Sequence, residues 1–550
     1  MAVLAPVLRV EGSLAGWLSE VAPPDADYGG PALAILSAVG FGALALGLAR
    51  QKRLSWWLAV ATLAATLLAQ ASVLSHPLGV VVIGGAVAVL LADRSRYRVE
   101  TGATWSRWVL GLLLLAGFAL AAETALLLAA TGVWPEPLSV LGYITTSVGD
   151  VLGIDNDASQ SILDVTSRGG LFALLLLAAR LPVVLGAVGI LARVPEPAAD
   201  PTVREHARSI AAQHGCGALL PFQLGEDKLL YCPPGPDGCI VYGLAGRTAV
   251  VVGDPIAPAD SRDALLGAFL ERSHRLDRVV TFYQATPALR PVLVNLGYRL
   301  FRVGQEAIVD LATFSLAGSH RANLRHTITR AGRGGLTVRF YRHGISGDDA
   351  PRMLDELLGI DEAWRRHAGP RLGFTISDFD RDALSELPVS VASDAENRLV
   401  AFTSFRPTGS DGGWVLDLMR RTPDGIPGAV EWCIAEAAQA FRSGGASKLS
   451  LGLAPLAGLS VHEGPLLERA MALASRLVRP WYDVSSLAFF KAKFDPRWEP
   501  RYGAVASRLD GIGFTMSLLR LHTHRSRLRA VIALAVDPSS IDPAGPQAAR

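Results

Sequence analysis

Apolar residues in this chain are concentrated before residue 193, and beyond it short apolar strands alternate with polar helices. Five apolar runs occupy 31–49, 54–74, 77–92, 108–130 and 169–192, the third being the shortest. A helix needs about 20 apolar residues to cross a bilayer, so the pattern predicts a membrane domain over 1–193 with about five spanning helices. Flanking charge predicts their orientation, because Lys and Arg are retained on the cytoplasmic side. Arg50, Lys52 and Arg53 follow the first run, and Arg94, Arg96, Arg98 and Arg107 separate the third from the fourth. The stretch 131–167 carries Glu136, Asp150, Asp155, Asp157 and Asp164 and no Lys or Arg. These loops place the N-terminus outside and everything after Arg193 in the cytoplasm. Glu11, Glu20, Asp25 and Asp27 precede the first run, unlike the basic start of a cleaved signal, so that run reads as a retained anchor. Glu123 and Arg180 lie inside apolar runs and read as a pair between helices, or as Arg180 reaching the interface.

The proline-rich stretch 194–201 reads as a linker. Strands are predicted at 228–232, 239–244, 248–252, 278–284 and 307–311, with helices at 261–274 and 287–296. The order then recurs: strands at 336–341, 389–392, 399–406, 414–419, 448–452 and 502–507, with helices at 350–367 and 428–442. The fold class is therefore an α-helical transmembrane region followed by an α/β domain made of two units, 202–318 and 319–513. The last segment, 514–550, begins as a basic amphipathic helix suited to an anionic leaflet and ends in a disordered tail.

Composition fits a protein that is apolar in one part only. Half of the 550 residues are hydrophobic, mean hydropathy is +0.32 and 19% are charged. With a net charge of +2, any attraction to nucleic acid or anionic lipid must come from local patches. Cys216, Cys232, Cys239 and Cys433 show neither CxxC spacing nor paired histidines, so they read as reduced, mostly buried thiols, with no metal site.

Several short motifs acquire meaning from their order. They are Gly253-Asp254-Pro255, Phe282-Tyr283-Gln284, the 304–311 segment GQEAIVDL, Arg321-Ala322-Asn323-Leu324-Arg325, Leu416-Asp417-Leu418-Met419-Arg420, the 451–456 segment LGLAPL, and FKAKF followed by RWEPRY over 490–502. Together, over roughly 200–510, they resemble the cytoplasmic domain of the bacterial phosphatidylglycerol lysyltransferases, the multiple peptide resistance factor family. The resemblance implies tandem acetyltransferase-like (GNAT) folds. It implies an enzyme that moves an aminoacyl group, most often lysyl, from aminoacyl-tRNA to the headgroup of phosphatidylglycerol. Such a product lowers the membrane's negative charge and favours resistance to cationic peptides. The longest family members resemble fusions with a larger flippase domain, so lipid flipping is expected of another protein. A separate aminoacyl-tRNA synthetase is expected to supply the charged tRNA.

An aminoacyl ester is already activated, so no cofactor is expected; the enzyme must position a hydroxyl and handle one proton. Under this resemblance Asp417 orients or deprotonates the glycerol hydroxyl while Arg420 holds phosphate; the bland reading is an Asp417–Arg420 pair bracing the strand end. Lys491 and Lys493 share a face if extended and are candidates for a phosphate or the developing oxyanion. Glu499 and Arg501 act with them or pair to fix the last strand. Arg321 and Arg325 share a face if helical, with Arg330 and Arg333 following, and suit tRNA phosphates, Asn323 capping or orienting that helix. Asp361, Glu362, Asp378 and Asp380 are acids that could meet a cationic aminoacyl side chain. Rival readings are a coenzyme-A acetyltransferase, for which Arg508-Leu509-Asp510-Gly511-Ile512-Gly513 is the only pyrophosphate-loop string noted, transfer to a peptidoglycan precursor, and a non-catalytic tRNA- or lipid-binding protein.

Overall fold

A computed structural model describes residues 30–73, 77–99, 201–235, 237–368, 373–457 and 484–523. The chain divides into two units, 1–197 with 274–278, and 198–273 with 279–550.

In the first unit the helices are Gly30–Ala49, Arg53–Val73 and Pro77–Ala92. Arg53 N–H donates to the Val99 carbonyl at 3.1 Å and the Trp56 indole to the Leu90 carbonyl at 2.8 Å. These bonds bring the described parts of the two basic loops to one end of the helices. Among the described residues no helix is long and apolar enough to cross a membrane. Pro77–Ala92, with 16 residues, spans about 24 Å at 1.5 Å per residue, short of the hydrocarbon thickness. The membrane domain expected over 1–193 is thus not confirmed among the described residues. The fourth and fifth apolar runs, with Glu123 and Arg180, lie outside the described residues, as do the linker before Pro201 and the tail.

The second unit holds one eleven-stranded sheet, ordered β1-β2-β3-β4-β11-β5-β10-β9-β8-β7-β6. Its strands are β1 Leu229–Tyr231, β2 Ile240–Ala245, β3 Thr248–Val252, β4 Val279–Ala285, β5 Arg299–Asp310, β6 Thr337–Tyr341, β7 Val389–Ser393, β8 Leu399–Pro407, β9 Trp414–Arg421, β10 Lys448–Pro455 and β11 Arg497–Val505. Two pairs are parallel, β3 with β4 and β10 with β9. Each is joined through a helix, Arg262–Arg275 or Ala429–Ser443, because a parallel pair needs a crossover. The β3 sequence TAVVV is buried at every position, as a strand covered on both faces must be. The two α/β units expected, 202–318 and 319–513, thus share a single sheet.

Their ends are exchanged. β11, the last strand of the second unit, inserts between β4 and β5, while β5 pairs with β10. The sequence pattern located only part of these strands, 307–311 of β5 and 502–507 near β11. Charges in RLFRVGQE and the proline in RWEPRY interrupt the apolar alternation there. The charges are matched across the strands. Glu499 sits opposite Glu306, and Arg501 donates from Nη1 to Glu499 at 2.6 Å and from Nε to Glu306 at 2.9 Å. Arg501→Ala leaves two carboxylates facing each other in the sheet. It should cost about 3–5 kcal/mol, the usual penalty for breaking a buried ion pair, read as a lower midpoint in urea; a midpoint equal to the parent's would show that the bridge is dispensable.

Cys232 and Cys239 are disulfide-bonded, with Cα atoms 4.3 Å apart across the β1–β2 connection. This corrects the expectation of four reduced thiols, since a short hairpin connection brings together cysteines whose spacing matched no zinc pattern. Cys216 is exposed; Cys433 is buried, and burial pushes its thiol pKa upward.

Candidate active site

β9 and β10 pair only at Trp414–Leu449 and Val415–Ser450. Beyond those residues they separate, and the gap opens into a cleft of about 730 Å³. Asp417, Met419 and Arg420 line one wall, and Leu451, Gly452 and Leu453 the facing one. Leu219, Phe222, Tyr283 and Gln284 extend the lining from the first α/β unit, and Trp364, Asp378, Phe490, Lys491 and His522 complete much of it.

Asp417 is fixed on one side. Its Oδ2 accepts from Arg406 Nε at 2.9 Å and Ser404 Oγ at 3.4 Å, while buried Oδ1 has no hydrogen-bond partner. A buried acceptor without a partner is costly, and here it belongs to a residue lining the cleft, where a ligand hydroxyl or ammonium would satisfy it. In place of the bland alternative, an Asp417–Arg420 pair, the structure has two others. Arg420 Nε donates to Asp361 at 2.7 Å, Nη1 donates to the Met419 carbonyl, and the guanidinium lies 3.9 Å from the Trp364 ring centroid. Asp361 also pairs with Arg365, which reaches Asp378 at 3.5 Å. Burial lowers the Arg420 pKa, and Asp361 opposes that shift.

Lys491 and Lys493 are separated by local structure. They would share a face only in an extended segment, but Lys491 lies at the end of a helix, Val484–Ala492, and Lys493 follows it, so the two side chains do not share a face. Lys491 is 4% exposed and donates from Nζ to the carbonyls of Gly452 at 3.1 Å and Leu453 at 2.7 Å. Burial brings its pKa down to about 7, while Glu306 acts in the opposite direction. Gly452 adopts φ +78, a conformation that favours glycine where β10 bends past the amine. Lys493 instead bonds Glu431 at 2.8 Å and does not line the cleft.

Glu306 lines the cleft, with its carboxylate held by Ser450 Oγ at 2.6 Å and by Arg501. Glu499 and Arg501 therefore brace β5 against β11, the structural alternative left open by the sequence. His522, half-buried at the end of the helix Asp510–His522, meets Thr375 Oγ1 at 3.3 Å, and desolvation lowers its pKa.

The arginine cluster departs most from expectation. Arg321 is the residue before the helix Ala322–Arg333, not part of it, and is 9% exposed. Its Nε donates to the Phe494 carbonyl at 3.1 Å, and its guanidinium lies 4.9 Å from the Phe314 ring centroid. Arg325 donates to the carbonyls of Leu316 at 2.6 Å and Gly318 at 2.8 Å. Asn323 provides no cap, since the helix start has no side-chain capping bond. Arg330 and Arg333 are exposed on that helix and open to a polyanion. Arg321→Ala should lower stability by roughly 1–3 kcal/mol by leaving a buried carbonyl unsatisfied, while tRNA affinity of the folded variant stays at the parent's value. Urea titration beside filter binding separates the two; a selective loss of tRNA binding would return Arg321 to the interface.

Glu306, Trp364 and His522 were missing from the sequence-derived site. The place of Glu306 in the GQEAIVDL motif was the available signal for it; Asp361 was named as an acid that could meet a cationic side chain, not as the partner of Arg420.

Residues 208–505 match the family described as phosphatidylglycerol lysyltransferase, C-terminal. The phosphatidylglycerol lysyltransferase of Bacillus subtilis (strain 168) is 30% identical over 305 residues, covering 55% of this chain and 35% of that protein. The Staphylococcus aureus (strain COL) protein of the same name is 26% identical over 299 residues, covering 54% and 35%. The solved structure of L-PGS from Bacillus licheniformis is 27% identical with a TM-score of 0.51, over 58% of this chain and 96% of that one. The match thus spans about a third of the length of these curated relatives.

Proposed function

Since the chain belongs to the phosphatidylglycerol lysyltransferase C-terminal family, we propose that it transfers an aminoacyl group, lysyl first, from aminoacyl-tRNA to a glycerol hydroxyl of phosphatidylglycerol. The observation that carries this reading is the cleft between β9 and β10, lined by a buried amine of lowered pKa and by Asp417 with its unpartnered oxygen.

The chemistry is an ester exchange. The lipid hydroxyl adds to the acyl carbonyl, a new ester bond forms, the bond to the tRNA ribose oxygen breaks, and the hydroxyl proton ends on that ribose oxygen. Neutral Lys491 has two N–H groups for the carbonyls of Gly452 and Leu453. Its lone pair then takes the lipid proton and returns it to the leaving oxygen, with a pKa suited to work near neutrality. Asp417 Oδ1 orients the attacking hydroxyl. Arg420, aligned by Asp361 and Trp364, attracts the lipid phosphate. Exposed Arg330 and Arg333 offer cations to tRNA. Phosphatidylglycerol resides in a bilayer and charged tRNA in the cytoplasm, so the protein works at the cytoplasmic leaflet of the bacterial cell membrane, as a multi-pass protein fed by a separate synthetase. Adding a lysyl group to an anionic lipid weakens attraction of cationic peptides to that surface.

The test is mass spectrometry of total lipids from a phosphatidylglycerol-containing host with the protein, with Asp417→Asn, and with neither. A new aminoacyl-phosphatidylglycerol only with the parent is expected, its mass naming the amino acid. No new lipid, despite membrane expression and charged tRNAs, would move the reading to peptidoglycan precursors or a binding role.

A further inference from the structure

The helix Asp510–His522 is apolar on both faces, yet only one is packed. Phe514 and Leu518 join Val250, Val252, Phe301 and Val505 in a buried cluster. On the opposite side Leu509 is 81% exposed, Ile512 71%, Met516 42% and Leu519 37%, the 3-4-3 spacing of one helical stripe. Helices apolar all round are ordinarily covered all round.

Further large apolar side chains are exposed at the end of the sheet where this helix begins. Arg299 pairs with Val505, so the chain entering β5 and the chain leaving β11 lie at the same end of the sheet. Val294 and Leu296 at that entry are also exposed, at 53% and 41%. The charges around this surface are mostly cationic. Arg290, Arg299, Arg508 and Arg520 are exposed, whereas Asp510 is engaged by the Ser507 amide at 2.9 Å and its hydroxyl at 2.7 Å. Large apolar side chains ringed by arginines match a bilayer with anionic headgroups, the apolar groups entering the acyl boundary and the cations staying among phosphates. Arg508 to Gly513, the string that resembled a pyrophosphate loop, belongs to this surface and does not line the cleft.

We propose that the face formed by Leu509, Ile512, Met516 and Leu519 docks the α/β unit onto an anionic phospholipid bilayer. The inference rests on the proposed transfer to a bilayer lipid and names the surface that brings the unit to it. His522, at the far end of the same helix, lines the cleft, so the docked helix runs from the bilayer contact to the cleft wall.

The test uses the full chain carrying Ile512→Cys in a Cys216→Ser background, labelled with an environment-sensitive fluorophore and reconstituted into phosphatidylglycerol-containing vesicles or pure phosphatidylcholine vesicles. Cys433 is buried and the other two cysteines are bonded, so labelling is confined to the new site. A blue shift with quenching by doxyl groups on the acyl chains is expected in the anionic vesicles and not in the zwitterionic ones. Arg508→Glu with Arg520→Glu should remove it, since each cation near such a leaflet is worth roughly fivefold in partitioning. Equal quenching in both vesicles would overturn recognition of anionic lipid. A probe unquenched in both would overturn docking, a blue one being covered by this chain or a second copy. Aminoacyl-lipid measured in the same samples separates the two proposals: product without quenching removes the docking surface alone, and quenching without product removes the transfer reading alone.

Discussion

Lys491→Met is expected to reduce aminoacyl transfer by about 10²–10⁴-fold, the range for loss of a positioned general acid–base group. Lys491→Arg should fail similarly, because a guanidinium keeps the charge but cannot give up its proton near neutrality. In the parent, turnover should rise with pH through about 7 as the buried amine becomes neutral. Stability gives an independent reading. The folded-state pKa is depressed from 10.5 to about 7, so between those values the unfolded chain binds more protons. Stability must then rise with pH in that window, by up to about 1.4 kcal/mol per unit. Below about 7 both states carry the charge and its burial penalty is fully present; above 10.5 both are neutral. The difference in unfolding free energy between parent and Lys491→Met should therefore slope with pH between 7 and 10.5. A flat difference would mean that the amine is not depressed, and full activity of the arginine variant would exclude proton transfer.

What the sequence could reveal depended on whether the controlling interactions were local. The order of strands and helices followed from apolar alternation and crossover lengths, and Asp417 and Arg420 were placed on β9 by their motif. Their partners were not legible, since Asp361 is 59 positions from Arg420 and Arg406 is 11 from Asp417 across a hairpin. Lys491 and Lys493 would share a face only if FKAKF were extended, yet its first part completes a helix and only Lys491 turns into the cleft. Arg321 and Arg325 looked like a free basic face because nearby acids were absent. Backbone carbonyls are invisible to a charge count, and those are the groups they bond. The exchange of β5 and β11 likewise depends on long-range pairing, for which a strand pattern gives no partner.

Asp417→Asn tests the other wall of the cleft. The carboxylate has one oxygen turned toward Arg406 and Ser404 and one buried without a protein partner. In the asparagine variant the amide oxygen will face Arg406, where a donor needs an acceptor, which puts the NH₂ group where Oδ1 was. The substitution is nearly isosteric, so the fold should persist, but an acceptor for the lipid hydroxyl becomes a donor. Transfer should fall by about 10²–10³-fold in kcat with KM for phosphatidylglycerol little changed, as expected when an interaction is made mainly in the transition state. Ser404→Ala removes only the longer of the two supporting bonds and should cost far less. If both variants instead raised KM equally and left kcat intact, Asp417 would be a lipid-binding group. Parent-like turnover by Asp417→Asn would remove it from the reaction and leave Lys491 to act without an orienting carboxylate.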